Sequence, residues 1–119
     1  MNLYQEQILD HYQNPRNFYK MEDSTHKFFM QNLSCGDEIE MFLKVDSNGV
    51  IEKASFEGKG CSISIASASM FTEYLPGKNV SDVKDWDYDK VLDLLGIPLT
   101  TARLKCAVMS LEAVKKSLS

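Results

Sequence analysis

The chain has 119 residues, 44% hydrophobic and 25% charged, with a formal net charge of −4 and a pI of about 5.1. That length and apolar content suit one compact domain over 1–119 with a real core. The acidic balance argues against nucleic-acid binding, no apolar run approaches the ~18 residues of a membrane span, and the first residues lack the basic start and apolar stretch of an export signal. The expected location is the cytoplasm, where thiols stay reduced.

Residues 2–13 read as a first helix. Asn2 can cap it, and Leu3, Ile8 and Tyr12 fall near helical spacing. Pro15 ends it, because the residue before a proline avoids helical dihedrals. His11 is expected to cap or pack at the end of this helix. Residues 26–33, 38–45 and 50–57 read as three strands, the second by clean alternation of polar and apolar residues. Asn48-Gly49 supplies the tight turn between the last two.

Gly58-Lys59-Gly60 is permissive backbone before Cys61. Residues 62–75 form a helix with a small Ala/Ser side, stopped by Pro76-Gly77. A short helix or turn begins at Ser81-Asp82-Val83. Another short helix, 87–95, closes on Gly96. Pro98 marks a boundary. Thr100 or Thr101 can cap a last helix to about residue 118, with Leu104, Val108, Leu111 and Val114 on one face. Helix, three strands, then several helices is an α+β pattern: a small three-stranded antiparallel sheet packed against helices.

The chemistry lies in three cysteines and their surroundings. They read Ser34-Cys35-Gly36-Asp37, Gly60-Cys61-Ser62-Ile63-Ser64 and Arg103-Leu104-Lys105-Cys106-Ala107. Three thiolates plus the Asp37 carboxylate would complete a four-ligand site. Soft sulfur favours zinc or iron–sulfur chemistry, and a hard carboxylate among thiolates would be the weaker, more exchangeable ligand. Spacing alone does not establish the site. No Cys-x-x-Cys pair is present, and three separate buried thiols would fit the spacing as well. Cys61 lies where a Gly-rich turn meets a helix start, a setting that favours thiolate. Cys106 has Lys105 and Arg103 nearby, which would favour thiolate there too. No cysteine-protease signature surrounds any of the three.

The flanking residues resemble one family. Cys35-Gly36-Asp37, the stretch from Phe56 through Gly60-Cys61-Ser62-Ile63-Ser64-Ile65-Ala66-Ser67-Ala68-Ser69, and Arg103-Leu104-Lys105-Cys106-Ala107 look like the iron–sulfur cluster assembly proteins of the IscU/SufU/NifU N-terminal type. The opening Ile8-Leu9-Asp10-His11-Tyr12-Gln13-Asn14-Pro15-Arg16-Asn17 is similar as well. The resemblance implies a SufE/IscU-like α+β fold with ligands gathered at one end. It implies Cys35, Asp37, Cys61 and Cys106 as ligands, which should converge on one exposed rim, with Asp37 as the labile one and Cys106 as the persulfide acceptor. It also implies a PLP-dependent cysteine desulfurase as sulfur donor and acceptor apo-proteins as recipients.

Two family branches remain open. A scaffold would build a [2Fe–2S] cluster on these ligands and pass it on. A zinc-dependent sulfurtransferase would hold zinc there and accept persulfide. Lys105 stands where the scaffold branch carries histidine, as in the SufU branch, but the insertion usual in that branch between the second and third cysteines is missing. Ile97-Pro98-Leu99-Thr100-Thr101 keeps one proline and no lysine of the scaffold branch's chaperone-binding segment, so the resemblance does not extend to an Hsp70-type partner. A purely structural zinc domain is the third reading, and Asp is an uncommon ligand in closed structural sites.

Overall fold

The computed structural model describes residues 3–33, 36–96 and 101–119, without the side chains of Thr101 and Ala102. Among these, the elements in chain order are α1 (Leu3–Gln13), β1 (His26–Asn32), β2 (Asp37–Val45), β3 (Ile51–Lys59), α2 (Ser62–Tyr74), α3 (Val80–Lys84), α4 (Tyr88–Leu95) and α5 (Thr101–Ser117). This is the expected α+β order. The proposed cap at Asn2, the boundary at Pro98, the Thr100 cap and most of the 97–101 segment lie outside the described residues. No described helix is long and apolar enough to cross a membrane.

The strands form an antiparallel meander in the order β1-β2-β3. Alternation fixes its register. Ile39, Met41 and Leu43 point to one face, opposite Gly58, Phe56 and Ala54, and all three are fully buried. Helices α2 and α5 pack on that side, with Ala66, Ala68, Phe71, Ala107, Leu111 and Val114 in the shared core. Each large apolar side chain so buried contributes about 1.5–3 kcal/mol against exposure. The burial on α5 is wider than one stripe: Cys106 through Leu111 are all buried, while Leu104 is only half-buried.

The β2–β3 turn forms as its residues dictate. Asp46 Oδ1 accepts from the N–H groups of Asn48 and Val50 at 2.8 and 2.9 Å, and Gly49 adopts a positive φ of 80°. A register shift at Lys44/Val45 marks a bulge beside it. Asp87 caps α4 by accepting from Asp89 N–H at 3.0 Å, and Gly96 closes it in the left-handed conformation, as expected.

The N-terminal motif ties three elements together. His11 is buried at the end of α1, its Nδ1 2.7 Å from Ser69 Oγ on α2, and burial pushes its imidazole below the ordinary range. Arg16 N–H donates to the same Oγ at 2.8 Å. Asn17, at φ 56°, gives its carbonyl to Phe56 N–H at the edge of β3 and its side-chain amide to Thr72 Oγ1. This network orients α2 against the sheet and so fixes where its N-terminus, carrying Cys61, is delivered.

Candidate metal centre

Three elements end at one recess. Asp37 is the first residue of β2, Cys61 is the N-cap of α2, and Cys106 lies on α5, five residues beyond its first described residue. A carboxylate oxygen of Asp37 and the two sulfurs all lie within 4.8 Å of one another. Of the four residues expected to converge, these three do; Cys35 lies outside the described residues. A tetrahedral zinc site with bonds near 2.3 Å has sulfur–sulfur edges of about 3.8 Å, so the donors need to close only slightly. The donor set, two thiols and one carboxyl, suits zinc or an iron–sulfur cluster.

Glycine makes the approach possible. A Cβ on Gly60 would fall 2.7 Å from the Asp37 carboxyl carbon and oxygen, and one on Gly58 would run into the Glu38 carbonyl. The β3–α2 connection therefore lies directly on the start of β2. Gly60→Ala is expected to push Asp37 aside and destabilise the fold by about 1–3 kcal/mol, the usual cost of overpacking. A denaturant midpoint unchanged from the parent would show that the junction has slack.

Asp37 is buried and its carboxylate is held at both oxygens. Cys61 N–H donates to Oδ1 at 3.1 Å, and Ser64 Oγ donates to Oδ2 at 2.6 Å. The first bond is a cap supplied across the fold. Cys61 occupies the N-cap position with no side-chain cap bond of its own, and an acidic group from β2 lies at the positive end of the α2 dipole. Cys61 Sγ is 3.5 Å from Ser64 Oγ.

Two expectations need correction. The ligands were to lie on an exposed rim. Instead Asp37 is 3% and Cys106 7% exposed, and only Cys61 is half-buried. The site is recessed because α5 covers it. Lys105 and Arg103 were also to favour a Cys106 thiolate. The Cys106 thiol is instead pushed up to about 12, chiefly by burial and next by the neighbouring Cys61 thiol. Helical geometry explains this: Arg103 and Lys105 project to solvent while Cys106 turns inward. Cys106 also lies beyond the first turn, where the helix dipole has faded. The Cys106 thiol is therefore neutral in the metal-free fold.

Ser64 was read only as part of a small-residue helix. Its spacing carried a signal, since three residues after Cys61 is the same helical face. Beside the recess, a groove of about 550 Å³ runs between β1 and α5, with Met30, Leu33, Leu104 and Lys105 in its walls.

The NifU-like N-terminal domain matches residues 3–119. The chain belongs to this family. It is 40% identical to the zinc-dependent sulfurtransferase SufU of Bacillus subtilis, over 98% of this chain and 90% of the relative. It is 31% identical to the iron–sulfur cluster assembly scaffold protein IscU of Haemophilus influenzae, over 98% and 93%. The SufU alignment extends over 134 positions, more than the 119 residues here, so that NifU-like relative carries residues this chain lacks; the IscU alignment spans 119. Among solved NifU-like folds, a putative SUF-system scaffold from Fervidobacterium islandicum superposes with a TM-score of 0.78 at 24% identity, covering 96% of this chain and 95% of that one. A structure described only as a hypothetical protein reaches 0.79 at 26% identity, covering 98% and 96%.

Proposed function

We propose that this chain is an iron–sulfur cluster assembly scaffold. Cys35, Asp37, Cys61 and Cys106 hold a [2Fe–2S] cluster as cargo, for transfer to acceptor apo-proteins in the cytoplasm. The observation that carries this reading is the convergence of Asp37, Cys61 and Cys106 from three separate elements within 4.8 Å. Nothing in the packing of a small α+β domain requires two thiols and a carboxylate at one point. The 31% identity to a scaffold protein, spread over nearly the whole chain, supports it.

Sulfur arrives from a PLP-dependent cysteine desulfurase. The Cys106 thiolate attacks the outer sulfur of the donor's cysteine persulfide, and the donor thiolate leaves. Cys106 must first give up its proton, because burial keeps it neutral. Asp37 is the exchangeable ligand. Its hydrogen bonds to Cys61 N–H and Ser64 Oγ are available when it releases the cargo, so its departure leaves no bare buried charge.

A second reading, a zinc-dependent sulfurtransferase, is favoured by the 40% identity to the Bacillus protein and by Lys105. Zinc on the same residues would keep the thiols deprotonated. One experiment separates the two: protein purified without oxygen is analysed for metal, labile sulfide and visible absorption. Iron with sulfide and red-brown colour is the expected result. Colourless protein with zinc at one equivalent supports the sulfurtransferase. Protein that takes up neither from a reconstitution mixture overturns both.

A further inference from the structure

Ser64 bridges two of the ligand-bearing residues described in the recess. Its Oγ is 2.6 Å from Asp37 Oδ2 and 3.5 Å from Cys61 Sγ. It is 1% exposed. We propose that Ser64 is the positioning residue of this site, holding the Asp37 carboxylate where it can ligate; the proposal rests on the reading of Asp37, Cys61 and Cys106 as ligands.

The hydroxyl has one proton, and the short contact assigns it to the carboxylate. O–H···O⁻ bonds of about 2.5–2.7 Å are charge-assisted and strong. Ser64 and Asp37 are both buried, so bulk solvent does not compete for this bond. Each carboxylate oxygen has two acceptor positions, so Oδ1 and Oδ2 keep capacity for a metal while bonded to Cys61 N–H and Ser64. The pair of bonds fixes the carboxylate plane, which a single bond would leave free to swing.

The placement in α2 is specific. With Cys61 as N-cap, Ser64 is the third residue of the helix. That is where a capping box puts a Glu or Gln that reaches back to the N-cap N–H. Here the third residue is too short to reach back. The N-cap N–H is left to Asp37, and Ser64 grips the same carboxylate from below. A capping box is thus completed across the fold, and its acid is a candidate ligand. Outer-shell partners that orient a ligand in this way are typically worth about 10–100-fold in metal affinity.

The test is a cycle of zinc affinities, measured by competition with a chromophoric chelator on Ser64→Ala, Ser64→Thr, Asp37→Ala and the Ser64→Ala/Asp37→Ala double variant. Denaturation of each metal-free protein confirms folding. Ser64→Ala is expected to weaken zinc by ~10–100-fold and Ser64→Thr, which keeps the hydroxyl, to stay near the parent. In the Asp37→Ala background, Ser64→Ala should have almost no further effect, because its action passes through Asp37. An equal loss in both backgrounds, or no loss in either, overturns the proposal; a merely structural serine gives the first of these. Cys61→Ala separates the two failures. If it leaves zinc affinity unchanged, the shared site itself is wrong. If it weakens zinc while Ser64→Ala is silent, only the role of Ser64 falls.

Discussion

Cys106→Ala is expected to remove zinc binding while leaving the fold nearly intact. The side chain is buried between α5 and the recess, and truncation removes one sulfur atom. The packing loss is about 1 kcal/mol, comparable to a buried methylene with a small cavity. The ligand loss is far larger. An outer-shell partner already changes affinity by about 10–100-fold, and a direct thiolate ligand should exceed that range. The two effects therefore come apart in one variant: a denaturation midpoint close to the parent, and a zinc affinity lowered by more than about a hundredfold. Zinc retention within a few-fold of the parent would place Cys106 outside the ligand set and return it to the reading of a buried free thiol. The same variant should be unable to accept sulfur from a desulfurase, scored by mass spectrometry of the intact protein.

Much of the fold was legible because local and tertiary signals agree. Ile39, Met41 and Leu43 alternate with Glu38, Glu40 and Phe42, and the sheet register follows that alternation. Phe42 is the exception. It is buried on the opposite face, where the segment containing Met21 lies against the sheet, and no periodicity reveals that cover. Asn48-Gly49, Asp87 and Gly96 act as turn and cap residues because their side chains or positive φ leave few alternatives.

The site was only half legible. Cys61 at the start of a helix follows from the glycines before it, and the structure puts it there. The setting of Cys106 does not follow from its neighbours in sequence. Lys105 and Arg103 are adjacent along the chain, but a helix turns by roughly a quarter of a circle per residue, so adjacency is no guide to a shared face. What governs Cys106 is the close approach of α2 and the start of β2, a long-range feature. Asp37 also changed meaning. Expected only as a ligand, it is also the buried acid that caps another element.

The burial of Cys106 gives the metal-free protein a specific weakness at high pH. Its thiol is pushed from an ordinary 9.0 to about 12 in the fold. Below pH 9 the thiol is protonated in both folded and unfolded chains, and its contribution to stability is fully present. Above pH 9 the unfolded chain loses this proton and the folded chain keeps it. The unfolded state then binds fewer protons, so stability falls with rising pH until the folded thiol also titrates near 12. Tyrosines and lysines titrate in the same window, so the readout is a difference: the parent should lose more stability than Cys106→Ala between pH 9 and 11. Ligand binding has the opposite slope. A thiol must be deprotonated to coordinate, so zinc uptake should release protons and its affinity should rise with pH, about tenfold per unit for each proton released. Equal alkaline slopes for the two proteins, together with a pH-independent affinity, would show that Cys106 already carries a thiolate in the metal-free state.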